Sequence, residues 1–134
     1  MNEQSIFLLV DDDPDDIMLL KDAIQSVDER VQIAEAKNGR TALAYLKEAA
    51  LNDKLPNLVV LDINMPILNG IEVIALIKKE AGLHQVPLVV FSTSSNPGDL
   101  SHCNEYGIEL IVKPFGMKAL VDVAKTLIKK YAVQ

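Results

Sequence analysis

Five short apolar runs set the terms for any fold of this chain: "IFLLV" (6–10), "VQIAEA" (31–36), "NLVVLD" (57–62), "VPLVVFS" (86–92) and "ELIVK" (109–113). Four are continuous rather than alternating, as in strands covered on both faces of a parallel sheet. The second alternates, with Val31, Ile33 and Ala36 inward, and reads as an edge strand. Segments of helical period separate the runs. The last is clearest, with Met117, Leu120, Val121, Ala124, Leu127, Ile128 and Tyr131 on one stripe and Lys118, Asp122, Lys125 and Lys129 opposite. The first shows the same logic through Ile17, Leu20, Ile24 and Val27, and helices also fit 40–50, 70–80 and 98–106. Parallel neighbours need crossover connections, so this alternation predicts a doubly wound α/β domain: five parallel strands with five helices on both faces.

At 134 residues the chain has room for one domain with a full core, and we read 1–134 as that single domain, ending soon after the fifth helix. A net charge of −6 gives no basic field, which makes nucleic acid and anionic membranes poor partners. The lone cysteine, Cys103, has no internal disulfide partner and reads as a buried thiol on the inner face of a short helix. The start, "MNEQS", lacks the basic and apolar regions of a secretion signal, and no apolar run approaches membrane-spanning length. The expected location is the cytoplasm.

Directly behind the first run stands "DDDPDD" (11–16). Helix initiation accounts for most of it: Asp13 is a good N-cap, Pro14 suits the first helical position, and Asp15 and Asp16 sit where the helix dipole favours anions. Asp11 and Asp12 are left over. They follow the carboxyl end of the first strand, the edge of an open α/β sheet where ligands bind. Asp62 ends the third. In the flavodoxin-like strand order 2-1-3-4-5 these three carboxylates converge. At about 4 Å in an effective dielectric near 20, two such charges repel by about 4 kcal/mol, so a proton or a cation must intervene. Hard oxygen ligands of this kind suit Mg²⁺. Ser92 and Lys113 end the fourth and fifth strands at the same edge. A metal site, a nucleophilic carboxylate, a hydroxyl and an ammonium together make a kit for phosphoryl transfer.

The acidic pair after the first strand, "LDINMP" with Asn69-Gly70 following, Ser92-Thr93 at the fourth strand end and "KPF" at the fifth resemble the receiver domain of two-component response regulators over essentially the whole chain. That resemblance implies that Asp62 accepts a phosphoryl group from a phosphohistidine on a sensor histidine kinase or histidine phosphotransfer protein. It implies Mg²⁺ held by Asp12 and Asp62 directly, by Asp11 through water and by the backbone carbonyl of Asn64. Lys113 would pair with the phosphoryl oxygens, Ser92 would swing in to hydrogen-bond one of them, and the Lys113–Pro114 peptide would be cis. Asp62, Lys113 and Ser92 would carry the chemistry of a protein that acts as a switch and catalyses only its own phosphoryl transfer and loss.

No output domain is expected, so the switch would act through the face built from the fourth helix, fifth strand and fifth helix. Polar groups there are Asp99, His102, Glu105, Lys118, Asp122 and Lys125, offered to a downstream protein or to a second copy of the chain. The acidic start and the Ser-Thr-Ser loop are most similar to the small single-domain regulators that accompany phytochrome-type sensor kinases.

Three positions depart from the pattern. Leu110 stands where many receivers carry a rotating aromatic ring, Ser92 replaces the commoner threonine, and Thr93 is bulkier than the usual small residue. Other residues read as structural: Asn69-Gly70 as a turn, His84 and His102 as surface residues, and Met65 and Phe91 as loop packing and core. Two other functions compete. A pseudo-receiver would keep the fold and lose phosphorylation. A haloacid-dehalogenase-type phosphatase would need a second acid two residues after the nucleophile, where this chain has Asn64.

Overall fold

The computed structural model describes residues 4–65, 68–93 and 96–133. Ten elements alternate along it: β1 Ile6–Val10, α1 Pro14–Val27, β2 Gln32–Ala36, α2 Gly39–Leu51, β3 Leu58–Leu61, α3 Gly70–Lys79, β4 Leu88–Ser92, α4 Pro97–Glu105, β5 Glu109–Val112 and α5 Met117–Tyr131. All strand pairs are parallel and the sheet order is β2-β1-β3-β4-β5, the predicted order.

Strand alternation divides the core in two. Phe7, Leu9, Val60, Val89 and Phe91 point to one side of the sheet, where Ile17, Leu20 and Ile24 of α1 meet Leu120, Ala124 and Leu127 of α5. Leu8, Val10, Val59, Leu61 and Val90 point to the other and pack against Leu46 of α2, Val73, Ile74 and Ile77 of α3 and Cys103 of α4. The central strands β1, β3 and β4 are covered on both faces, which explains their unbroken apolar runs.

The two edges differ from expectation. β5, read as doubly buried, is the second edge strand: Glu109 and Val112 are exposed and Leu110 and Ile111 half-buried, because only one neighbour and parts of two helices cover it. In β2, Ile33 and Ala36 face opposite sides of the sheet rather than one, and Val31 is buried just before the strand begins. Met117, counted on the apolar stripe of α5, lies at its exposed start. Cys103 is buried and His84 and His102 are exposed, as predicted. Among the described residues no helix is long and apolar enough to cross a membrane.

Helix starts are fixed locally, and they aim the loops of the carboxyl edge. Asp13 accepts a hydrogen bond from the Asp15 amide at 2.9 Å with Pro14 next in line, so the acidic run launches α1 directly above the end of β1. Asn69 and Glu72 form a reciprocal capping box at α3, and Asn96 caps α4 by accepting from the Asp99 amide at 2.8 Å.

Candidate functional site at the carboxyl edge of the sheet

The register brings Asp11, Asp62 and Lys113 to one edge of the sheet. Val10 pairs with Leu61, which sets Asp11 and Asp62 side by side one step past the strand ends. Two hydrogen bonds extend the ladder to them: the Asp11 amide donates to the Ala36 carbonyl at 3.1 Å, and the Asp62 amide to the Val10 carbonyl at 3.0 Å. On the far side Ser92 pairs with Val112, and the Lys113 amide donates to the Ser92 carbonyl at 2.7 Å. By alternation Asp11 follows Leu9, Asp62 follows Val60 and Lys113 follows Ile111, so all three share the face that α1 and α5 cover. Ser92 falls on the opposite parity, with Val90, and is fully buried.

Asp11, Asp12 and Asp62 each offer a carboxylate oxygen within 4.8 Å of the others. Asp11 and Asp62 are buried and Asp12 is exposed, which leaves the cluster open to solvent on one side. Burial raises the Asp62 carboxyl to a pKa of about 6; the Asp11 charge adds to this and Lys113 partly offsets it. The Asn64 amide donates to Asp62 Oδ1 at 3.3 Å, the Asp13 amide to Asp11 Oδ1 at 3.0 Å, and Asn64 itself is exposed.

Lys113 reaches the cluster from the end of β5. Its Nζ donates to Asp11 Oδ2 at 2.8 Å and to Asp16 Oδ2 at 2.9 Å. Burial alone would lower its pKa, but those two bonds and the Asp62 and Asp11 charges outweigh it and hold the ammonium above its ordinary range. Asp16 was not foreseen here. Its place in the first turn of α1 made the helix dipole a sufficient explanation, and no sequence spacing links it to a strand end 97 residues away. The Lys113–Pro114 bond is a correction: every peptide among the described residues is trans. The trans form is the lower-energy one for an X–Pro bond, and from it Lys113 already reaches its partners.

The loop after Asp62 is shaped by α3. The Gly70 amide donates to the Ile63 carbonyl at 2.9 Å, and a β-carbon on residue 70 would lie 2.5 Å from the Asp62 carbonyl oxygen and 2.7 Å from Ile63 Cα. Asn69-Gly70 is therefore more than a turn: the glycine lets the helix start against the backbone that carries Asp62. Met65 and Phe91 are buried, as expected, and Thr93 is exposed. Ser94 lies outside the described residues. On the α4, β5, α5 side the sequence had pointed to polar groups; the structure also exposes Leu100, Val112 and Phe115.

A strand-end acid cluster, a half-buried lysine beside it and a five-stranded parallel sheet of this order define a class, and the comparisons agree on it. Residues 7–125 match the response regulator receiver domain family, and the chain belongs to that family of two-component signalling domains. Response regulator Rcp1 of Synechocystis sp. is 33% identical over 101 residues, covering 74% of this chain and 69% of that protein. The crystal structure of the phosphorylated cyanobacterial phytochrome response regulator RcpA superposes with a TM-score of 0.86 at 30% identity, covering 96% of this chain and 94% of that one. The Mn²⁺-bound form of Rcp1 gives 0.79 at 27% identity, covering 93% and 92%.

Proposed function

We propose that this protein is a phosphorylation-dependent switch in which Asp62 receives a phosphoryl group from a phosphohistidine of a sensor histidine kinase or histidine phosphotransfer protein. The observation that carries the reading is the convergence, by strand register, of Asp11, Asp12 and Asp62 at one edge with the Lys113 ammonium against them. An Asp62 oxygen attacks phosphorus, the new O–P bond forms as the P–N bond breaks, and the electron pair of that bond returns to the imidazole nitrogen. With a pKa near 6, Asp62 is mostly ionised at neutral pH and so nucleophilic.

The donor set fits a hard divalent cation: three carboxylates within 4.8 Å, one of them exposed. Asp12 and Asp62 would hold Mg²⁺ directly, Asp11 through water and Asn64 through its carbonyl. When bound, the cation supplies charge neutralisation for the carboxylates and for the transferring phosphoryl oxygens. Lys113 adds a second positive group from the other side. Ser92, buried at the end of β4, would turn its hydroxyl to a phosphoryl oxygen and draw the following loop with it. Because Leu110 has no ring to rotate, this motion would carry the change to α4 and to the α4, β5, α5 face, where a downstream protein or a second copy would bind.

Incubation with acetyl phosphate, followed by intact-mass measurement, tests the reading. One phosphoryl group per chain is expected with Mg²⁺ and none with EDTA. No incorporation under either condition would make the protein a pseudo-receiver, and repeated turnover of phosphomonoesters would make it a phosphatase.

A further inference from the structure

Lys113 is shared. Its side chain is only 14% exposed, and its two ion pairs join it to Asp11, at the end of β1, and to Asp16, in the first turn of α1. Asp11 belongs to the acid cluster; Asp16 does not, and its side chain is 36% exposed at the rim. Neither ion pair is with Asp62, although strand alternation places Lys113 on the same face as Asp62. An ammonium group has three donors in all, and two are committed to these carboxylates. A dianionic phosphoryl group on Asp62 therefore meets a lysine whose charge is already claimed from the α1 side.

We infer that Asp16 is a positioning residue that holds Lys113 toward α1 and competes with a phosphoryl group on Asp62 for its ammonium. The inference rests on the reading of Asp62 as phosphoacceptor and adds a determinant of how readily the phosphorylated form is reached. Asp11 cannot fill this role alone, since it pairs with Lys113 from within the cluster and stays beside the phosphoryl group in any case. Asp16 sits outside the cluster on a helix, so its hold on Lys113 opposes the pull of the phosphoryl group. A differential of this kind shifts the equilibrium by no more than the ion pair itself contributes. For a pair partly open to solvent at its Asp16 end that is a change of about two- to fivefold in affinity.

The test is titration of the full chain with beryllofluoride and Mg²⁺, the beryllofluoride adduct of Asp62 standing in for its phosphoryl form. Asp16→Asn should bind beryllofluoride about two- to fivefold more tightly than wild type. Asp16→Glu, which keeps the charge and can restore the pair, should fall back toward wild type. Asp15→Asn removes the same charge one residue away, from an exposed side chain that is not paired with Lys113, and should change the affinity less than Asp16→Asn does. Weaker or unchanged binding by Asp16→Asn overturns the inference, as does an equal gain in Asp15→Asn, which would reduce Asp16 to one more negative charge. A variant that had merely lost structure would bind more weakly, so damage to the fold cannot imitate the expected gain. Failure of the wild type to bind beryllofluoride at all would instead overturn the reading of Asp62, and the inference with it.

Discussion

Asp62 pairs a buried carboxylate with a like-charged neighbour, and this should show in the stability of the protein before any phosphoryl chemistry begins. Its pKa of about 6 stands above the ordinary value of 3.8, so the folded chain binds this proton more tightly than the unfolded chain does. Below about pH 4 the group is protonated in both states and costs nothing. As pH rises from there to about 6 the unfolded chain releases its proton first and stability falls, by about 3 kcal/mol in all, with no further loss above. Urea unfolding in EDTA across this range should show that fall in wild type and not in Asp62→Asn, which is neutral throughout; parallel profiles would contradict the repulsion. Asp12→Asn removes an exposed member of the same cluster and should leave the metal-free protein at least as stable, while abolishing Mg²⁺-dependent phosphorylation. A clear loss of stability in that variant, measured the same way, would mean that Asp12 supports the fold rather than straining it. Thr93, exposed just beyond Ser92, is bulkier than the small residue usual at that position of the receiver pattern, where a water attacking the acyl phosphate would have to pass. Thr93→Ala should therefore shorten the lifetime of the acyl phosphate, and unchanged decay would remove the steric role.

Helix placement explains what sequence patterns alone left open. The run Asn69-Gly70 was legible as a turn from residue type, but its reason lies in a backbone approach that only the packed structure contains: Gly70 sits on Asp62 and Ile63 with no room for a β-carbon. Gly70→Ala should force α3 and the acceptor loop apart, cost about 1–3 kcal/mol in urea unfolding, and slow phosphorylation of Asp62 at the same time. Retention of both stability and rate would show that the loop does not depend on α3. Asp16 went unread at this scale for a related reason. Its helix-dipole role is complete in itself, whereas its partner is fixed by where β5 lies relative to α1. The apolar run of β5 likewise could not reveal that the strand is an edge, because hydrophobicity records that a strand is partly covered and not how many neighbours cover it.

Across the whole molecule, the order β2-β1-β3-β4-β5 turns four strand ends that are far apart in the chain, those of β1, β3, β4 and β5, into one edge. That much was legible, because continuous apolar runs with crossover helices leave few arrangements and the polar residues all fall on the carboxyl ends. The division of Lys113 between two carboxylates was not, since it depends on side-chain reach within the finished fold. Only the folded chain brings Asp11, Asp12 and Asp62 together, so if they hold Mg²⁺ as proposed, added Mg²⁺ should raise the melting temperature of wild type. Asp12→Asn should lose that rise, and an equal rise in both would place the cation elsewhere. The switch depends first on which carboxylate accepts the phosphoryl group. Peptide mapping by mass spectrometry after treatment with acetyl phosphate and Mg²⁺ reads this directly, in wild type and in Asp62→Asn. The phosphoryl group should be found on Asp62 of the wild type and nowhere on the folded Asp62→Asn protein; a phosphoryl group on Asp11 or Asp12 of the wild type, or undiminished incorporation in the variant, would contradict it.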